Sequence, residues 1–427
     1  MIDIKNDGKN FFLGLQHVLA MYAGSVVVPL IIGGALKLNP NEIALLITAD
    51  LFTCGIATFL QAYKTKFSGI GLPVVLGCTF TAVAPMIAIG NSHDINTIFG
   101  AVIASGIFVC LFATYFSKMV RFFPTLVTGT IVTIIGASLI PVAMDNFAGG
   151  VGAKDFGSLD NLTLGLCVFF FIIFINRFFK GYMQAISVLL GIVFGTVLGI
   201  IMGKVDLSPV SSASWFNFVK PFYFGMPKFE ISSILTMIIV AVVSMVESTG
   251  IFLALGDICD KKIGEKDLAK GYRAEGLSII FAGIFNSFPR TTFSQNVGLV
   301  QIAKVKSVVV TIYASGILIF LGLIPKFAAL ATIIPASVLG GAMLVMFGMV
   351  ISAGISMLKN VEYKDNQNLL IIACSVAIGI GITVSPSIFN NAPEIVKIIF
   401  GNGIVSGSLC AVFLNLLFNH SFKIKKA

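Results

Sequence analysis

The chain has 427 residues, 57% of them hydrophobic and only 11% charged, with a mean hydropathy of +1.00. Soluble domains carry roughly a quarter charged residues, so a soluble fold is excluded. The net charge of +9 does not mark a nucleic-acid partner, because the basic residues follow the loops of a membrane topology.

Residues 1–10 are polar, with Lys5 and Lys9, and a run of spanning length follows. No small-residue cleavage site follows it, so that run is expected to be kept as a helix rather than removed as a signal peptide. Runs long enough for a hydrocarbon core of about 30 Å predict about fourteen spans. They lie near 13–33, 42–62, 70–90, 97–117, 124–144, 162–180, 184–204, 230–256, 271–288, 292–303, 307–324, 329–352, 367–385 and 394–418. With a cytoplasmic N-terminus, 20 of the 28 basic residues fall inside and 8 outside. This is the positive-inside pattern, and it predicts a multi-pass protein of the cell membrane with both termini cytoplasmic. The seven cysteines are scattered, with no C-x-x-C pair, and read as small packing residues.

Within the first span, His17 could relay protons or act as a neutral hydrogen-bond partner that fixes a helix. In the third, residues 77–85 hold Thr79, Phe80 and Thr81 between Gly77 and Pro85. The outer loop at 206–228 carries the only Trp, Trp215, with Phe216, Phe218, Phe222 and Tyr223, and reads as an interfacial aromatic cap. The eighth span has a single acid, Glu247, and no base. An intramembrane carboxylate needs a partner, a proton or a ligand to offset its insertion cost. The charged stretch 256–275 reads as a solvated linker helix joining two halves.

The tenth span is the most interrupted: Pro289, Arg290, Thr291, Thr292, Phe293, Ser294, Gln295, Asn296 and Gly298 stand inside apolar surroundings. Broken backbone at membrane depth is tolerated where it lines a cavity or is buried in protein. Phe123-Pro124 with Gly129 recurs as Ile334-Pro335 with Gly340, and Thr79-Phe80-Thr81 recurs as Thr292-Phe293-Ser294, both about half a chain apart. Seven spans per half is an odd number, so the repeats are inverted, a plan that places sites at the midplane. Each Thr-Phe element predicts a short strand followed by a half-length helix. The two strands are expected to pair and aim N–H groups at a ligand, helped by the half-helix N-termini. Two Pro-kinked helices without a ligand role are the simpler alternative.

Gln295 offers an amide that, with Glu247, matches a flat heterocycle of alternating N–H and C=O edges. Phe80 and Phe293 supply an aromatic face. Asn296 is expected to hold the two strands together, although an interhelical amide clamp would look the same. No nucleotide-binding loop, nucleophile elbow or zinc signature is present, which argues against ATP-driven transport and against an enzyme.

At these residues the sequence resembles the nucleobase–ascorbate transporter family, the nucleobase:cation symporters. The family signature opens with Gln, Glu or Pro, then Asn, any residue, Gly, four further residues, Thr, and a basic residue or Gly. Residues 295–304 match it except for Ala303 in place of Thr. The Gln16-His17 segment, the break at 77–85 and the Glu247-Ser248-Thr249-Gly250 segment match in order and spacing, so the resemblance covers the whole chain. It implies an all-α polytopic membrane protein of fourteen segments in two inverted seven-helix repeats, with short strands in spans 3 and 10. It also implies a core domain (1–123 and 230–324) and a gate domain (124–229 and 325–427), with substrate held between them.

By the same resemblance, Gln at position 295 points to an oxidised purine and Glu would point to uracil. Substrate contacts are expected from Glu247, Gln295, Phe80, Phe293, Ser294 and Thr79, and structural or coupling roles from Asn296, His17 and Gly298. No cofactor is implied, the coupling ion is a proton, and association is expected as a homodimer through the gate domain in membrane lipid. Members often carry His or Asp four residues after the span-8 Glu; here the position is Ile251, which cannot titrate. Arg290 has no account in this pattern. The expectation is a proton-coupled importer of xanthine or urate. The alternatives are a uracil permease and, with less support, a passive solute channel or a non-transporting scaffold.

Overall fold

Unbroken apolar runs give full-length helices here, and runs punctuated by Pro, Gly and β-branched residues give pieces. The computed structural model describes residues 7–120, 123–303, 305–359, 361–363, 366–393, 396–397 and 400–419, without the side chains of 294, 295, 302 and 303. Helix α1 spans Asp7–Ala35 and α2 spans Pro40–Ala62. Asn39 caps α2 reciprocally with Glu42, and Pro40 occupies the first turn, where its missing N–H is harmless. The third span then breaks into strand β1 (Leu76–Cys78), one 3-10 turn (Phe80–Ala82) and the half-length helix α3 (Val83–Ser92).

The first half continues with α4 (Ile95–Met119), α5 (Thr125–Ser138), α6 (Ile140–Phe147), α7 (Leu159–Phe178), α8 (Tyr182–Ala185) and α9 (Ser187–Ile201). Short helix α10 (Ser208–Ser212) sits in the connection that carries Trp215, whose ring lies under the Lys326 ammonium at 4.8 Å. The second half holds α11 (Ile231–Ile258), α12 (Glu265–Ile284), strand β2 (Arg290–Thr292) and α13 (Ser294–Ala303). It ends with α14 (Val308–Leu321), α15 (Pro325–Thr332), α16 (Ala336–Leu358), α17 (Asn366–Val384) and α18 (Gly403–Asn419).

Among the described residues, eight helical segments are long and apolar enough to cross a membrane: α1, α2, α4, α5 with α6, α7, α11, α16 and α17. Helices α14 and α15 form a further candidate, bent by 79°, and the other predicted spans fall on shorter or more charged pieces. The fold is thus that of a polytopic, almost wholly helical membrane protein with two broken spans in equivalent places. Pro124 and Pro335 stand immediately before α5 and α16, so the repeated Pro, with Gly five residues on, marks equivalent helix starts. Those two helices pack on one another, Gly129 against Gly354 and Leu358.

Helix α4 lies along α12, α2 along α14, and α17 along α18, with α1 bridging α2 and α14. One expectation is overturned. Residues 256–275 do not form a linker helix: α11 runs on to Ile258, a turn follows, and α12 starts at Glu265 and continues into the ninth span. The charges that suggest a solvated helix are partly spent on the protein itself. Arg273 donates to the Phe67 carbonyl and to Thr114 Oγ1, and Lys64 pairs with Asp267 at 2.8 Å.

Candidate functional site

Strands β1 and β2 pair antiparallel in the register Leu76 with Thr292, Gly77 with Thr291 and Cys78 with Arg290. Each comes from a different half, so the predicted meeting of the two extended pieces occurs. Two flanking bonds lengthen the ladder: Phe293 N–H donates to the Val75 carbonyl and Thr79 N–H to the Pro289 carbonyl, both at 3.0 Å. Thr79 also caps the 3-10 turn by accepting from the Thr81 N–H at 3.3 Å. Helices α3 and α13 therefore begin just beyond the strand pair, as half-helices whose N-termini carry partial positive charge.

Phe293 sits where this ladder ends. Its ring lies between Gly24 of α1 and Gly77 of β1, close enough that a Cβ on either glycine would strike it. The Phe80 ring lies 6.4 Å from it at a 43° tilt and packs edge-on to Phe347 at 5.4 Å. The two aromatic residues named from sequence are thus brought together, as a tilted pair rather than a parallel one. Beside them opens a cavity of about 190 Å³ that Phe293 and Gly298 line together with Gly24, Asn176, Gln184 and Met346. Asn176 and Gln184, polar residues of its lining, were not singled out in the sequence, where α7 and α8 read as ordinary span ends; Asn176 Nδ2 donates to the Ile172 carbonyl and to Ser187 Oγ.

Helix α11 packs against β2 and against the turn that follows β1. Ser244 Oγ lies 3.4 Å from Thr79 Oγ1, and Ser248 Oγ lies 3.1 Å from Thr291 Oγ1 and accepts from Thr292 Oγ1 at 3.2 Å. Glu247 falls between these two serines, half-buried, one residue from the strand contact. On the same helix Gly250 faces Thr128 of α5 and Met357 of α16. Glu247 consequently stands where the strand-bearing part of the fold meets the α5–α16 pair.

A second acid belongs to this neighbourhood. Glu275 of α12 is 2% exposed, close to Ser248 and within electrostatic reach of Glu247. Its Oε1 has no hydrogen-bond partner among the described residues. Its place at the end of a charge-rich stretch made it look solvated; helical phase turns it inward while Lys266 and Arg273 reach outward.

Asn296 behaves differently from the expectation that it joins the strands. Its Nδ2 donates to the His17 carbonyl at 3.1 Å and lies 3.0 Å from His17 Nδ1. It thus clamps α13 to α1, because one turn into α13 its side chain has already left the ladder. His17 is buried within that clamp, the geometry of a helix-fixing partner. The side chains of Ser294 and Gln295 lie outside the described residues, so their expected substrate contacts have no geometry here.

Comparison with known proteins gives this arrangement a family. The chain is 58% identical to the nucleobase transporter PlUacP of Paenibacillus larvae over 95% of its own length and 94% of the relative's. It is 53% identical to the xanthine permease of Bacillus subtilis, with 98% and 96% covered. With the uric acid permease PucK of the same organism the identity is 55%, with 95% and 94% covered. Among solved structures, the transmembrane domain of the cyanobacterial bicarbonate transporter BicA superposes with a TM-score of 0.64 at 17% identity, covering 90% of this chain and 97% of that one. That likeness extends to the fold and agrees with inverted repeats. Residues 8–388 match a family model described as "Permease family", and the chain belongs to this nucleobase–ascorbate transporter family of multi-pass membrane permeases.

Proposed function

We propose that the chain is a secondary transporter that imports an oxidised purine nucleobase, xanthine or urate, by proton symport. The observation that carries this is the meeting of Phe293, Phe80, two half-helix starts and the α11 segment bearing Glu247 at one strand pair. A flat ring with alternating donors and acceptors needs an apolar edge and a few convergent polar groups, and these residues supply both. Support for the substrate class comes from relatives of 47–58% identity that are named for nucleobase, xanthine or uric acid transport.

In this scheme Glu247 accepts ring N–H groups, Gln295 offers a paired donor and acceptor, and Thr79 and Ser294, which follow the two strands at opposite ends of the ladder, complete the contacts. Asn296, His17 and Gly298 keep α13 in place. The strand-bearing helices act as the core, and α5–α9 with α15–α18 act as the gate that closes over it. The proton is held by Glu247 or Glu275, two acids that share Ser248 as a neighbour. Both would resist simultaneous ionisation away from water. A substrate that donates hydrogen bonds to Glu247 changes how strongly the proton is held, and that difference is the linkage symport requires.

The test is uptake of radiolabelled xanthine, urate and uracil into cells lacking their own permeases, with and without a protonophore. Concentrative, protonophore-sensitive uptake of xanthine or urate is the expected result. Uracil accumulation would move the ligand to a pyrimidine, and equilibration without accumulation would make the chain a passive pathway.

A further inference from the structure

Arg290 is among the largest side chains the fold buries completely, and the transport scheme gives it no task. It lies on β2, and its guanidinium reaches α2. Nη1 donates to Asp50 Oδ1 at 2.5 Å and to the sulfurs of Cys54 and Cys78 at 3.0 and 3.2 Å. Nη2 donates to the Asp50 carbonyl at 3.2 Å, to Ser287 Oγ at 2.7 Å and to Thr53 Oγ1. The carboxylate is held in turn: Asp50 Oδ1 accepts from Cys78 Sγ at 2.6 Å and from Ser287 Oγ at 3.0 Å. One guanidinium therefore ties together α2, β1, the turn after α12 and β2.

This cluster faces α2. Cys78 and Arg290, register partners, both turn to that helix, whereas the Thr291 and Thr292 hydroxyls both reach Ser248 of α11, next to Glu247. Helix α2 grips the other end of the ladder as well, since Thr58 Oγ1 accepts from the Leu76 N–H at 3.1 Å. Thus Asp50 fixes the Cys78–Arg290 rung and Thr58 fixes the Leu76–Thr292 rung. A three-residue pair has little register information of its own, and a slip of one residue would exchange its two faces. A buried ion pair is a poor source of net stability compared with apolar side chains of similar volume, so stability alone gives no reason for a charge here.

We propose that the Arg290–Asp50 pair is a positioning device: it locks the register of the two strands and so places Phe293 and the α13 start for the substrate. This rests on the transport scheme above, and the experiment separates the two. Asp50→Leu and Arg290→Met are made together, removing both charges without leaving one unpaired. The parent and the double variant are compared for membrane abundance, for KM and maximal rate of xanthine uptake, and for amide hydrogen exchange of peptides over 74–80 and 286–293. Parental abundance and maximal rate, with KM raised roughly tenfold or more, as an ångström-scale misplacement demands, is the expected outcome. Exchange in both strand peptides should rise together while α14 is unchanged.

Arg290→Lys, which keeps the charge but loses the fork to Thr53 and Ser287, should fall between parent and double variant in KM. Unchanged KM and unchanged strand exchange in the double variant would reduce the pair to a packing element and overturn the proposal. If the double variant does not insert, a parental KM in Arg290→Lys overturns it equally. If the parent itself takes up no nucleobase, the transport scheme fails, and the exchange of the strand peptides alone judges the lock.

Discussion

The packing of Phe293 against glycine makes a sharp test of whether this ring belongs to the site. An alanine at Gly24 would place its Cβ 2.6 Å from Phe293 Cε1 and 2.8 Å from Cζ, whereas ordinary contact begins at 3.4 Å. The ring must then yield by about 0.8 Å, the difference between those distances. Retreat toward β1 is limited, because the opposite edge of the ring already occupies the space beside Gly77 that a side chain there would fill. The remaining direction is into the cavity that Phe293 and Gly24 both line. Overpacking of this kind costs about 1–3 kcal/mol, and each 1.4 kcal/mol is tenfold. Initial-rate uptake of radiolabelled xanthine, normalised to the amount of protein in the membrane, should therefore show KM raised about 5- to 140-fold for Gly24→Ala. The control is Gly34→Ala on the same helix, where a Cβ meets nothing within 4 Å; it should leave KM and abundance at parental values. A parental KM in Gly24→Ala, or an equal loss in Gly34→Ala, would refute the argument that the ring's position sets affinity.

Four further outcomes follow from the proposed scheme and the contacts around it. Glu247→Gln keeps the volume and removes the charge, and should abolish accumulation against a gradient in a protonophore-controlled uptake assay. Under the proposed scheme Gln295→Glu adds a second carboxylate to the substrate contacts and should weaken xanthine binding about tenfold or more, measured by competition of unlabelled xanthine for uptake. Asn296→Ala removes the α1–α13 clamp and leaves buried His17 groups without a partner, a loss of about 1–3 kcal/mol that should appear as a lowered melting temperature of the purified protein. His17→Asn should retain the response to a proton gradient.

Much of the plan could be read in the sequence because its signals were local. Gly and Pro around Thr-Phe doublets announce broken spans, and the repeated Pro with Gly five residues on announces two halves, since each depends on backbone preferences of neighbouring residues. What could not be read depends on where helices meet. Asp50 looks like one stray acid in the second span, and Arg290, 240 residues away, looks like a stray base; only the fold makes them partners. Glu275 was misplaced for the opposite reason. Its neighbours Lys270 and Arg273 signal solvent, but two of every three or four positions on a helix can satisfy that signal while the others turn inward. Asn296 went astray by one helical turn, since a strand-based expectation does not say where the chain leaves the ladder.

Because each strand of the ladder is supplied by a different half, the order of synthesis has a consequence. Cys78 and Arg290 are 212 residues apart, which at about 5–20 residues per second separates their appearance by roughly 10–40 s. Throughout that interval the β1 backbone, and Asp50 beside it, are already made while their partners do not yet exist. Unpaired peptide groups and a lone carboxylate are costly in hydrocarbon, so the first broken span cannot settle at its final depth as an independent unit. The nascent third span must remain at the lipid boundary, inside the insertion machinery, or shielded by another protein until the tenth arrives. Biogenesis of this permease is accordingly all-or-none with respect to its two halves, and a chain truncated before residue 290 would be a substrate for membrane quality control rather than a stable half-transporter.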